Sequence, residues 1–124
     1  MIKPIRVFET GASRDNDDDK YDYEGFLSHR VISRYGAYMH KNRVMADGSV
    51  RDSDNWQKGI PRASAMKSAW RHLVAWWTLH RRGAPVGPVA NDPMVNLEEA
   101  ICAVIFNASS YLDSILKEHE EDVL

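Results

Sequence analysis

Leu97-Glu98-Glu99-Ala100-Ile101-Cys102-Ala103-Val104-Ile105-Phe106-Asn107-Ala108-Ser109-Ser110-Tyr111-Leu112-Asp113-Ser114-Ile115 decides the fold. Leu97, Ala100, Ile101, Val104, Ile105, Ala108, Tyr111, Leu112 and Ile115 recur every three to four residues, the period of one face of a helix. Asn96 before this run, with Glu99 three residues on, has the pattern of a capping box. The spacing predicts a helix from Asn96, fraying after Lys117.

Working backwards, residues 84–93 (Ala-Pro-Val-Gly-Pro-Val-Ala-Asn-Asp-Pro) break any helix and read as a connection within one domain. Before it, Met66, Ala69, Trp70, Leu73, Trp76 and Trp77 form the apolar face of a helix expected over about Ala63–His80. Arg81 and Arg82 sit in its last turn and Gly83 is its C-cap. The three tryptophans of this stripe read as core or subunit interface. A third helix is expected from Ser28, an N-cap, to between Asn42 and Ala46, with Leu27, Val31, Ile32, Tyr35, Tyr38 and Met39 as its stripe. Asp47-Gly48 marks a turn. Residues 5–8 alternate as a short extended arm, and Gly11–Asp22 has the chemistry of a loop.

The predicted class is therefore all-α. Three main helices and short accessory ones lie in one domain over 1–124, with 1–27 as arm and polar loop and 28–120 as helical core. Three helices with this much apolar surface do not satisfy one another alone, so a bundle completed by homo-oligomerisation, as a dimer or higher, is expected.

Composition narrows the function. The chain has 124 residues, 44% hydrophobic and 27% charged, with a formal net charge of −2. That balance argues against duplex DNA or an anionic membrane as partner. The one cysteine, Cys102, permits no internal disulfide and suits a reducing cytosol. Met1-Ile2-Lys3-Pro4 opens no signal peptide, and no run of about 20 apolar residues is evident. Charge is uneven along the chain: Arg62–Arg82 is basic and the last thirty or so residues are acidic, so the two helices are expected to attract one another.

Three polar constellations stand out: Gly11–Asp15 with Lys20-Tyr21-Asp22; Asp54-Asn55-Trp56-Gln57-Lys58-Gly59; and Trp70-Arg71-His72, expected to face Glu98, Glu99 and Asn107. Phosphates need cationic donors, and Arg14, Lys20, Lys58 and Arg71 qualify. A base needs a flat apolar face and an edge reader, which Trp56 with Asn55 or Gln57 supplies. A divalent ion needs hard oxygen ligands, for which Asp15, Asp22, Glu98 and Glu99 are candidates. Each has a plainer reading beside this one. Trp56 can plug the core beneath its loop, the Asp15–Asp19 run can be a solvated loop, and Glu99 can be only the capping partner of Asn96. His72 can be a surface or core histidine, and Asn107 a bridge between helices. Cys102, flanked by apolar residues, reads as packing. No nucleophile elbow, phosphate-binding Gly-rich loop or zinc pattern is present.

Phe8-Glu9-Thr10-Gly11-Ala12-Ser13-Arg14-Asp15, Lys20-Tyr21-Asp22-Tyr23-Glu24-Gly25-Phe26-Leu27-Ser28, Arg34-Tyr35-Gly36, Tyr38-Met39-His40-Lys41, Asp52–Gly59, Trp70-Arg71-His72, Leu97-Glu98-Glu99-Ala100 and Phe106-Asn107-Ala108 together resemble the bacteriophage family labelled dATP/dGTP diphosphohydrolase, N-terminal domain. The likeness runs from about Phe8 to Leu116 and is distantly MazG-like. It implies a phage protein in the cytoplasm of the infected bacterial host. There it would hydrolyse dGTP or dATP to the monophosphate and pyrophosphate with Mg2+ (or Mn2+). In those terms Arg14, Lys20, Lys58 and Arg71 would hold the triphosphate, with Asp15 and His72 beside them. Asp22, Glu98 and Glu99 would be the catalytic and metal-holding acids, and Trp56, Asn55 and Asn107 would hold the purine. MazG-like proteins carry Glu-Glu-x-x-Glu and Glu-x-x-Asp on two helices; here Cys102 stands three residues after Glu99. The other reading of the same residues is a protein that sequesters a nucleotide, or a cyclic nucleotide immune signal, without cleaving it.

Overall fold

The strongest periodic stretch does form the longest helix. The computed structural model describes residues 5–15, 19–83 and 96–123. Among them lie four α-helices and one small sheet: β1 (Ile5–Val7), β2 (Ser13–Asp15), α1 (Tyr23–Phe26), α2 (His29–Lys41), a 3-10 turn (Asn55–Lys58), α3 (Arg62–Arg82) and α4 (Leu97–Val123). The all-α class holds in that the chain is mostly helical. The expected helix-breaking connection, 84–93, and Asn16–Asp18 of the acidic run lie outside the described residues.

The chain divides into two compact units, residues 1–32 and 33–124. The first contains a feature the sequence reading treats as arm and loop. β1 and β2 pair antiparallel with Ile5 opposite Asp15 and Val7 opposite Ser13. Gly11, at φ +87°, allows the reversal between them. The polar Ser13–Asp15 segment becomes a strand because its backbone groups meet those of Ile5–Val7; side-chain polarity alone hides that pairing.

In the second unit the start and stop signals work as expected. Asn96 caps α4 by accepting a bond from the Glu99 amide at 3.1 Å. Gly83, at φ +67°, ends α3 in a left-handed conformation. Ser28, at the end of the first unit, caps α2 through a 3.3 Å bond from the Val31 amide. α4 runs well past Lys117, where fraying is expected. Arg62 of α3 supports this extra length, donating to Ser114 Oγ at 2.8 Å and to Glu118 Oε2 at 2.7 Å. The expected attraction between the basic and acidic helices is thus realised at that pair.

α4 is the central element. Tyr38 of α2 is buried with Cys102 and Ala103, and Tyr35, Met39 and Phe106 pack around them. On α3 the buried apolar residues are small, Ala65 and Ala75, which lets the α3 and α4 backbones approach closely. The tryptophan stripe behaves differently: Trp70 and Trp77 are 61% and 63% exposed. By length and composition alone, Leu97–Glu120 is long and apolar enough to cross a membrane, contrary to the sequence reading. Its inner side, however, carries buried Glu99, Asn107 and Ser110.

Candidate functional site

A hairpin, a turn and three helices of the second unit enclose a cavity of about 760 Å3, within the usual size range of small-molecule sites. Each wall has a local cause. After α2, Asn42 Nδ2 donates to the Tyr38 carbonyl at 2.8 Å and ends the helix. The chain then reverses around Gly48, whose φ of +86° suits glycine. The reversal is held by a Val44–Val50 bridge and by the Ser49 amide bonding Asp47 Oδ1 at 2.9 Å. One step along, the Arg51 amide donates to the Arg43 carbonyl at 2.9 Å, so the hairpin sets two arginines side by side. Both line the cavity.

The 3-10 turn brings Asn55 and Trp56 to the same cavity, where both are half-buried. Lys117 of α4 anchors this turn by donating to the Gln57 carbonyl at 2.6 Å. α3 contributes Ser68 and half-buried His72, and α4 contributes Phe106 and Asn107. Asn107 is buried and held from below, its Nδ2 donating to the Ala103 carbonyl at 2.8 Å and to Ser68 Oγ at 3.2 Å. It is therefore a bridge between α3 and α4 and a wall of the cavity at once. The cavity offers aromatic surface from Trp56, Phe106 and Tyr38, amides from Asn55 and Asn107, and cationic or imidazole groups from Arg43, Arg51, His40 and His72. Asp52 is also in the lining.

The structure thus brings four of the sequence-predicted residues together: Asn55, Trp56, His72 and Asn107. Lys58 and Arg71 are exposed and not in the lining; Arg71 leans back to Ser68 Oγ at 3.3 Å. Arg14, Asp15, Lys20 and Asp22 belong to the first unit and are exposed there. Asp22 has a structural task, capping α1 through a 2.9 Å bond from the Gly25 amide. Sequence reasoning missed Arg43, Arg51 and His40. The turn signal Asp47-Gly48 lies midway between the two arginines and is the clue that pairs them.

Glu98 and Glu99 do not face Trp70-Arg71-His72 as expected; they face α2. Arg34 Nε donates to Glu98 Oε1 at 2.6 Å. Glu99 is 2% exposed, and its Oε1 pairs with Lys41 Nζ and lies 3.7 Å from Arg34. Its Oε2 makes no hydrogen bond among the described residues. The cluster colours its neighbours. Burial, reinforced by the nearby Glu99 charge, pushes the Tyr38 phenol up to about 12. The hydrogen bond to Glu98 raises Arg34 further, and burial raises the Cys102 thiol, which suits an inert packing cysteine. As a resident divalent-metal site this cluster fits poorly. Two cations already neutralise its two carboxylates, and no group of three His, Cys, Asp or Glu suited to a metal occurs among the described residues.

No family model, no curated protein and no solved structure matches this chain.

Proposed function

We propose that this protein binds a purine nucleotide in the cavity between α2, α3 and α4. The observation that carries this reading is the pair of arginines on the Arg43–Arg51 hairpin, lining one cavity with Trp56. Like charges on adjacent hairpin positions repel, and an anionic ligand between them relieves that repulsion. Arginine forks suit phosphate oxygens, Trp56 offers a stacking face, and the Asn55 amide with the Asn107 Oδ1 acceptor would read a base edge.

The reaction assigned to this site is the one the family resemblance implies: dGTP or dATP to the monophosphate and pyrophosphate, in the cytoplasm of an infected bacterial host. Mg2+ (or Mn2+) would arrive with the nucleotide, bound to its phosphates, and Asp52 is the carboxylate in the cavity lining. The chain's own residues would position the triphosphate and neutralise its charge, the main protein contribution to phosphoryl chemistry. Sequestration without cleavage is the second reading. It is favoured by the engagement of Glu98 and Glu99 with Arg34 and Lys41.

The test is incubation with dGTP, dATP and their ribonucleotide counterparts, with and without Mg2+, followed by chromatography of the products and by filtration for retained ligand. Metal-dependent monophosphate and pyrophosphate support hydrolysis; intact, retained nucleotide supports sequestration. Neither product nor retention refutes both. Trp56→Ala is expected to weaken nucleotide binding by about tenfold or more, the loss of one stacking contact. Unchanged affinity would move the base elsewhere.

A further inference from the structure

We infer that the outer face of α3 and α4 is the seam of a homodimer, with α3 of each copy lying against α4 of the other. Met66, Trp70, Leu73 and Trp77 follow one another by steps of four, three and four, which places them on a single stripe of α3. All four are exposed. The opposite side of α3, with Ala65, Ser68 and Ala75, is the one turned to α4. Between the outer side chains runs an apolar groove of about 490 Å3, lined by Trp70, Leu73, Val74, Trp76, Trp77 and His80. α4 also presents exposed apolar residues away from the core, Leu112 and Leu116 one turn apart, with exposed Ala108 a turn earlier. This inference is independent of what the cavity binds.

Charge selects the occupant. The exposed charges flanking the α3 stripe are basic, Lys67, Arg71 and Arg81. Setting α3 on its own copy would oppose like charges. The charges beside the outer α4 residues include Asp113 and Glu120, Glu118 being taken by Arg62 of its own chain. A two-fold arrangement that lays α3 on the partner's α4 opposes basic to acidic edges and makes each contact twice. The area also suffices. Four tryptophans across the two-fold, each exposed over about three-fifths of its surface, supply on the order of 500 Å2 of the roughly 1,200–2,000 Å2 of a standard interface. Met66, Leu73, Val74, Leu112 and Leu116 add to it from both copies.

Size-exclusion chromatography with light scattering over about 1–100 µM (the micromolar range of specific association) tests this on the whole chain. The expected mass is twice the 14.2 kDa of the chain, or a multiple of that. A monomer throughout, including one that sediments with phosphatidylcholine vesicles, overturns the inference. The double variant Trp70→Glu/Trp77→Glu is expected to run as a monomer with unchanged helical circular dichroism; a persistent dimer overturns the assignment of the face. If that variant loses its helices, Leu112→Lys on the other helix decides. It is expected to raise the dimer Kd about 100-fold, as a buried charge in an apolar seam should, and an unchanged Kd overturns the α3-on-α4 pairing.

Discussion

The two sides of the α3–α4 pair reverse the usual distribution of polarity. At the α2 junction the protein buries a carboxylate, Glu99, and surrounds it with Lys41 and Arg34. On the outer side of α3 it leaves Trp70 and Trp77 mostly in water. A buried charge is tolerated where its counter-charges come from a neighbouring helix already in place, and the α2 side meets that condition within one chain. Large apolar groups in water have no such local remedy, and a contiguous patch of them marks a surface that something else covers. One side is therefore complete within a single copy, and the other is the face to which we assign the dimer seam.

The closed α2 side depends most on Lys41. Lys41→Met removes the nearest counter-charge of a buried carboxylate while keeping much of the side-chain volume. A loss of about 2–3 kcal/mol is expected in urea unfolding, below the full cost of orphaning a buried ion because Arg34 remains nearby. A stability unchanged within error would mean that Glu99 does not depend on α2, and that this side is no more complete than the other.

Tyr38 reports on the same α2–α4 junction through pH. In the unfolded chain a tyrosine ionises near pH 10, whereas burial beside Glu99 holds the folded Tyr38 phenol protonated up to about 12. Between these values the unfolded state gives up its proton first. Stability is therefore intact below pH 10 and falls as pH rises towards 12. Tyr38→Phe should change the melting temperature little at pH 7 and flatten its decline above pH 10. Parallel declines in the two proteins would show that Tyr38 is not the group responsible.

The smallest effect is expected at the exposed end of α4. Arg62 lowers the Glu118 carboxyl below its ordinary range through their hydrogen bond. The sign is that of a stabilising pair present above the unfolded carboxyl value and lost as pH falls through the folded one. The pair is open to solvent, so Glu118→Gln should leave the neutral-pH melting temperature unchanged within error. A clear drop would show that Glu118 helps fix α4 on α3.

Much of this was legible residue by residue. The α4 period, the Asn96 and Ser28 caps and the Gly83 stop each act through neighbours three or four positions away, so the string itself displays them. Asn55, Trp56, His72 and Asn107 were legible as polar or aromatic groups in need of a purpose. Arg43 and Arg51 were not. Eight residues apart, they meet through a hairpin reversal, of which the Asp47-Gly48 turn signal between them is the one local sign. Glu98 and Glu99 were legible as adjacent carboxylates, but not as partners of α2 rather than α3.

By itself, then, the sequence determined that the chain is mostly helical, where its long helices start and which residues carry the stripes, because periodicity and capping are local. Only the tertiary structure decided which stripe became core. Ala65 and Ala75, two of the small residues of α3, took the inside because close approach to α4 left no room for tryptophan, and Trp70 and Trp77 were left facing out. It also decided that four of the predicted ligand-binding residues share one cavity with two arginines. Such meetings depend on how helices cross and loops reverse, which no short window of sequence contains.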